Sequence, residues 1–239
     1  MGTETGVRWR SALLEGIAVL LGILLAFAID AAWDTHQGRQ RVQAYLASLR
    51  SELEANRSLI ESNLEFLQDE IAETRAYLVD VVADPRGPVS QDSIRGMVAA
   101  MGPLRNTPLQ RAAFDDLASG ELQSIEDGEI RRLILEYGRA MDFDAVRQQT
   151  AQNWFDTRAQ PYDEAEADLV GMSAIYHEGW AGRTDVRFEI DPAAFVRNRR
   201  YGNLLAARVF RMSDLVYART SLLDRLVELY QALDVRGVE

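Results

Sequence analysis

Residues 11–34 read SALLEGIAVLLGILLAFAIDAAWD, and no other stretch restricts the chain so strongly. From Leu13 to Trp33 the run is about 21 residues, roughly 30 Å as a helix, which matches the hydrocarbon thickness of a bilayer. Trp9 and Trp33 lie just outside its two ends, where indole rings favour the headgroup level, and Arg8 and Arg10 precede it. These four residues are the expected membrane-interface anchors. The short basic start, the apolar core and AFA at 26–28 are also the parts of a cleavable signal peptide. The segment is read here as a retained anchor, which divides the chain into a tail at 1–12, a transmembrane helix at 13–34 and a soluble domain at 35–239.

Topology follows from charge only in part. Arg8 and Arg10 before the span nearly balance Arg39, Arg41 and Arg50 after it. The short N-terminal tail and the signal-like order favour a cytoplasmic N-terminus and a periplasmic domain. All 26 basic residues are arginine and lysine is absent, a bias that GC-rich coding produces. The expected location is therefore the inner membrane of a high-GC bacterium.

At about 100° per residue, Glu15, Ala18, Gly22, Ala26 and Asp30 fall within one stripe of the anchor. Gly22 and Ala26 form a small-xxx-small pair on it. Helices in lipid gain little from hydrophobic drive, so close packing across small residues is a main source of affinity. The stripe is the expected partner-binding face, and integral membrane subunits and lipid are the expected partners.

Beyond the span, Val42, Leu46, Leu49, Leu53, Ile60, Leu64, Leu67, Ile71, Leu78 and Val81 keep three-and-four spacing, interrupted by Asn56 and Thr74. This predicts a helix over 39–82, roughly 65 Å long, that continues the anchor as a stalk with a kink at Gly38. DPRGP at 84–88 ends it, since two prolines and a glycine remove donors and deny helical dihedrals. A short helix is expected over 92–101, a break at GPLRNTP (102–108), and another short helix over 109–118. Asp127 is placed to cap a helix carrying Ile130, Ile134, Tyr137 and Met141 and reaching Phe155. A further helix is expected over 162–177, an extended connector at TDVRFEID (184–191), and a final helix from Pro192 to Leu233. The fold class that follows is all-α, an elongated antiparallel bundle of long amphipathic helices behind one transmembrane helix.

Chemistry is sparse. Cysteine is absent, which removes disulfides, thiolate metal sites and covalent haem attachment together. Net charge is −11 with a pI near 4.8, so the domain lacks the basic field that gathers a nucleic-acid backbone, and RNRR at 197–200 is read as a solvated helix face. IEDGEI at 125–130 has the middle of a calcium-binding loop. With Gly128 as its sixth residue, however, the first, third and twelfth are Gln123, Ile125 and Ile134, none of them a carboxylate. DEAEAD at 163–168 reads as a solvated acidic face. His36 and His177 are the only histidines, and His177-Glu178 lacks the second histidine of a zincin motif. No nucleophile elbow, GxGxxG or phosphate loop is present. No catalytic set, cofactor, metal, nucleic acid or small-molecule substrate is expected.

Three segments resemble an uncharacterised bacterial family of single-pass membrane proteins, a domain of unknown function. They are Glu15 with GILLAFAID (22–30) and Trp33, AFDDLASGELQSIEDGEIRRLILEYG (113–138), and DPAAFVRN (191–198) ahead of a long C-terminal helix. The family's Asn-Trp-Asn is replaced here by Ala32-Trp33-Asp34. The resemblance implies an anchored helical architecture and carries no catalytic residue over. The expected function is a non-enzymatic accessory or scaffolding subunit of a larger membrane complex, energy-transducing (photosynthetic or respiratory) in kind. The alternative is a membrane-anchored periplasmic sensor or ligand-binding module.

Overall fold

A computed structural model describes residues 4–83, 100–166, 194 and 197–238. The described residues hold no strand, and their elements are α1 (Glu4–Ala83), α2 (Ala112–Asp116), α3 (Gly128–Trp154), α4 (Gln160–Glu166) and α5 (Arg199–Val235). The fold is all-α, as its periodicity predicts. DPRGP, most of the expected 92–101 helix, TDVRFEID, His177, Pro192 and Phe195 lie outside the described residues, as do the C-terminal parts of DEAEAD and of the 162–177 helix.

The apolar run and the amphipathic stretch form one helix of 80 residues, about 120 Å long at 1.5 Å per residue. Gly38 does not break it. A lone glycine costs a helix only about 1 kcal/mol, and no proline stands nearby to convert that weakness into a kink.

Each long helix presents a heptad seam. In α5 the seam runs through Tyr201, Leu205, Arg208, Met212, Leu215, Arg219, Leu222, Leu226, Leu229 and Leu233, spaced by four and three in alternation, with Val209 and Ala218 buried beside it. In α1 the same spacing joins Val42, Leu46, Leu49, Leu53, Asn56, Ile60, Asn63 and Leu67, all buried. This period sets helices alongside one another at shallow angles with side chains interdigitating. The seams meet in three apolar clusters. Leu49, Tyr137 and Leu229 belong to the one near the apolar run, Leu67, Ala151 and Met212 to the middle one, and Ala159, Tyr162 and Tyr201 to the far one.

Cross-helix contacts fix the directions. Arg50 meets Asp234 and Glu70 meets Arg208, so α5 runs antiparallel to α1. Asp144 meets Arg219 and Glu129 meets Arg236, so α5 is antiparallel to α3 as well. Consequently α1 and α3 run the same way, a departure from a fully antiparallel bundle. Residues 101–126 make this possible by descending beside α1: Leu104 packs near Leu67, Gln110 bonds to Asn56, and Ile125 joins the cluster of Val42 and Leu46.

Local chemistry explains the element ends. Asp127 Oδ1 accepts from Glu129 N at 2.8 Å and Ile130 N at 3.1 Å, the cap its sequence position predicts. The helix expected at 109–118 starts only at Ala112, because the Asn56 side chain ties down both backbone groups of Gln110. It then runs on through a π turn at Leu117–Glu121 and a 3-10 turn at Leu122–Ser124. Likewise α3 and α4 are joined by a π turn at Phe155–Ala159 instead of a break. Pro161 lacks the N–H that would bond back to Thr157, and the wider turn absorbs that loss and adds one residue to the seam between Ala151 and Ala159.

The start of α5 corrects another expectation. Asn198 is extended (φ −62°, ψ 124°) and its Oδ1 accepts from Arg200 N at 2.8 Å, so the long helix begins at Arg199 and cannot run through from Pro192. RNRR is therefore a helix start and not a helix face. At the other end Gly237 takes φ 66°, a conformation that favours glycine, and turns Val238 back under the core, where its carbonyl accepts from Arg50 Nη1 at 2.8 Å.

Candidate functional site

Two regions have surfaces that the fold itself does not explain. The first is the uncovered part of α1. Every residue from Glu15 to Gln37 is exposed, and no other element packs on it. Among the described residues this is the one helix long and apolar enough to cross a membrane. Nine large apolar side chains, from Ile17 to Ile29, stand in the open. Leaving them in water would forgo on the order of 10 kcal/mol, as much as a whole domain's stability.

Glu15, Ala18, Gly22, Ala26 and Asp30 all lie on this uncovered stretch, at helical spacings of three and four. A Cβ added at Gly22 would meet nothing within 4 Å, so nothing inside the chain requires glycine there. Trp33 closes the stretch and is exposed. Arg8, Trp9 and Arg10 belong to the same helix, with side chains outside the described residues.

The second region is a cleft of about 420 Å³ between the descending segment and α3. Asn106, Thr107, Pro108 and Leu109 form one wall, and Met141, Asp144, Ala145, Gln148 and Gln152 form the other. Behind this second wall Asp144 forms a buried ion pair with Arg219, the two residues being 4% and 1% exposed. Arg219 Nε stands 3.4 Å from Asp144 Oδ1 without the alignment of a hydrogen bond, and its Nη2 donates to Gln148 Oε1 at 2.5 Å. Burial raises the Asp144 carboxyl and lowers the Arg219 guanidinium, and each opposes the other's shift by its charge. Thr107 Oγ1 and Gln148 Nε2, on residues that line the cleft, are buried without a hydrogen-bond partner, and Asp144 Oδ1 is buried with the Arg219 ion pair alone.

A polar brace holds the cleft wall in place. Asn56 Nδ2 donates to Gln110 O at 2.7 Å and to Tyr137 Oη at 3.0 Å, while Gln110 N donates to Asn56 Oδ1 at 2.8 Å. Burial pushes the Tyr137 hydroxyl up to about 12. Glu52 accepts from Ala113 N at 2.7 Å, capping α2, and burial raises its carboxyl. The tip of the Phe114 ring then points at Gly138, where a Cβ would collide with it. Arg111 is fixed by Asp115 at 2.8 Å and Asp142 at 2.7 Å.

Sequence reasoning found the first region and missed the second. Asp144, Gln148 and Arg219 occupy inward heptad positions, and an arginine or aspartate in such a frame is the signal that was available. Among the described residues no three His, Cys, Asp or Glu side chains gather to hold a metal ion. No family model matches the chain, and no curated protein or solved structure matches it significantly.

Proposed function

We propose that this chain is a non-enzymatic, membrane-anchored accessory subunit that docks on and stabilises a larger bacterial membrane complex. One observation carries the reading: an apolar helix uncovered over its whole circumference continues without a hinge into a packed bundle. Such a helix needs lipid on some sides, and its stripe of Glu15, Ala18, Gly22, Ala26 and Asp30 supplies a side on which another helix can approach closely. The 120 Å rod, about that length by its rise per residue, then sets the bundle at a fixed height and angle above the bilayer.

In this reading the N-terminus is cytoplasmic, the bundle stands in the periplasm, and the host is an energy-transducing assembly, photosynthetic or respiratory. The chain is placed with the uncharacterised single-pass family that it resembles. Purification of the native protein in mild detergent, with mass spectrometry of what accompanies it, tests the proposal. Recovery with a stoichiometric set of integral membrane subunits is expected. Recovery as a lone monomer, together with normal complex assembly after gene deletion, overturns it.

The cleft favours a second reading, a membrane-anchored ligand-binding module. Its volume of about 420 Å³ lies within the range of small-molecule pockets, about 300–1,000 Å³.

A further inference from the structure

We infer that the groove on the outer face of α3, flanked by Arg131 and Arg139, receives an acidic protein segment carrying two carboxylates about 12 Å apart with an apolar side chain between them. The inference rests on the docking reading and deepens it, adding a contact outside the membrane and stating its chemistry. The groove holds about 320 Å³, and three arginines line it against one acid: Arg131, Arg132 and Arg139 against Glu136. That acid is engaged twice, by Arg132 at 2.6 Å and by Arg225 at 3.5 Å. Arg131 and Arg139 are left without a carboxylate partner among the described residues. In a chain of 37 acids and 26 basic residues, such a local excess of cations runs against the composition. Both are accessible, Arg139 fully and Arg131 in part.

Spacing decides which anion fits. Arg131, Leu135 and Arg139 recur every four residues, so they share one side of α3 and the two cations stand about 12 Å apart along its axis. A phosphate or a lone carboxylate can meet one of them and not both. Leu135, midway between them, is 43% exposed and offers apolar contact. An acid, an apolar residue and an acid at i, i+4 and i+8 of a partner helix match the three in order, since each step rises about 6 Å. Arg131 Nη2 also lies beside Gly128, in the first turn of α3, where the helix dipole already favours an anion.

Height separates this groove from the bilayer. Glu129 meets Arg236 and Arg50 meets Asp234, so Arg131 stands level with about Arg50 in α1. That is about 25 Å beyond Trp33 at 1.5 Å per residue, past a headgroup layer of about 5–8 Å. The anion is therefore a protein's carboxylates and not lipid phosphate. Elsewhere the net charge of −11 repels an acidic partner, so the groove both attracts the segment and fixes where it lands.

The test uses the full chain in a mild non-ionic detergent and a rhodamine-labelled, alanine-rich helical peptide with Glu, Leu and Glu at i, i+4 and i+8. Fluorescence anisotropy is expected to show saturable binding that weakens with added salt, and none to the same peptide with Lys at both Glu positions. Arg131→Gln and Arg139→Gln are each expected to weaken binding about three- to fivefold, and the double variant by the product of the two, while circular dichroism stays that of the parent. Arg158→Gln, at an exposed arginine on another element, is expected to leave it unchanged. Absence of binding, equal binding of the Lys peptide, or binding unaffected by both Arg131→Gln and Arg139→Gln overturns the inference. So does equally tight binding of a peptide with a single Glu or of phosphatidylglycerol bicelles, which would make the groove a site for single anions. Each of these results leaves docking through the anchor standing, because that reading is decided by the mild-detergent purification, where a lone monomer overturns it even if the peptide binds.

Discussion

Replacing Arg219 by leucine strands the Asp144 carboxylate, and the pair's setting says how much that costs. Removing one partner of a buried ion pair typically costs about 3–5 kcal/mol, because the remaining charge is left desolvated. Asp144 lines the wall of the cleft and can turn toward it once Arg219 is gone, so the lower end of that range applies, about 3 kcal/mol for Arg219→Leu. Asp144→Leu leaves the deeper guanidinium with Gln148 Oε1 as its one hydrogen-bonded partner, which points to the upper end, about 4–5 kcal/mol. The double variant buries two leucines on facing seams and should lie within about 1 kcal/mol of the parent, since an apolar pair often replaces an imperfect buried ion pair at no loss. Urea denaturation of the detergent-solubilised chain, followed by far-UV circular dichroism, measures all three. A double variant as unstable as the two single losses summed would refute the reasoning, as would single losses below about 1 kcal/mol.

Gly138→Ala puts a methyl group into the Phe114 ring and should cost about 1–3 kcal/mol by the same denaturation assay, with Phe114→Leu in the same chain restoring part of it. Asp127→Ala removes the cap of α3 and lowers the thermal midpoint. The Asp127 carboxyl is held below its ordinary 3.8 by the backbone N–H of Ile130 and by Arg236, so its contribution is present above that value and is lost as pH falls through the lower folded value; in Asp127→Ala this part of the acid destabilisation disappears. Asp144 has the opposite sign: its carboxyl is raised, so its native-state protonation adds stability below 3.8 that is lost as pH rises through the folded value, and Asp144→Asn removes that slope from a pH series of urea midpoints. Gly22→Leu fills the small-residue face and should weaken co-purification of membrane partners while the bundle's denaturation midpoint stays unchanged, because nothing in the chain lies within 4 Å of that position.

The pattern of apolar residues was enough to read the helices and their inward sides. Val42, Leu46, Leu49, Leu53, Ile60, Leu67 and Ile71 are buried where the spacing placed them, whereas Leu64 is half-buried because Asn63 takes the inward position, and Asp127 caps the helix it was assigned to. What stayed hidden has a common cause. Periodicity scores a polar residue as an interruption, whereas Asn56, Thr74, Asp144, Arg208 and Arg219 keep their seam positions and are buried. Arg208 donates to Gly102 O and pairs with Glu70 across more than a hundred residues, partners that no local window can see. The parallel course of α1 and α3 was equally out of reach, since it depends on how residues 101–126 lie back along α1. The cleft arises from that same segment, so it too was invisible until the segment had been placed. The exposed stripe on the apolar stretch of α1 was legible because it depends on one helix alone.

The absence of cysteine makes the central claim directly testable in native membranes. Single cysteines at Gly22 and Ala26, on the small-residue face, and at Leu20 and Leu24, on the opposite face, can be cross-linked with a short thiol-reactive photoprobe. The account predicts a discrete cross-linked membrane protein from Gly22→Cys and Ala26→Cys, and lipid adducts alone from Leu20→Cys and Leu24→Cys. Identical lipid labelling from all four positions would contradict it.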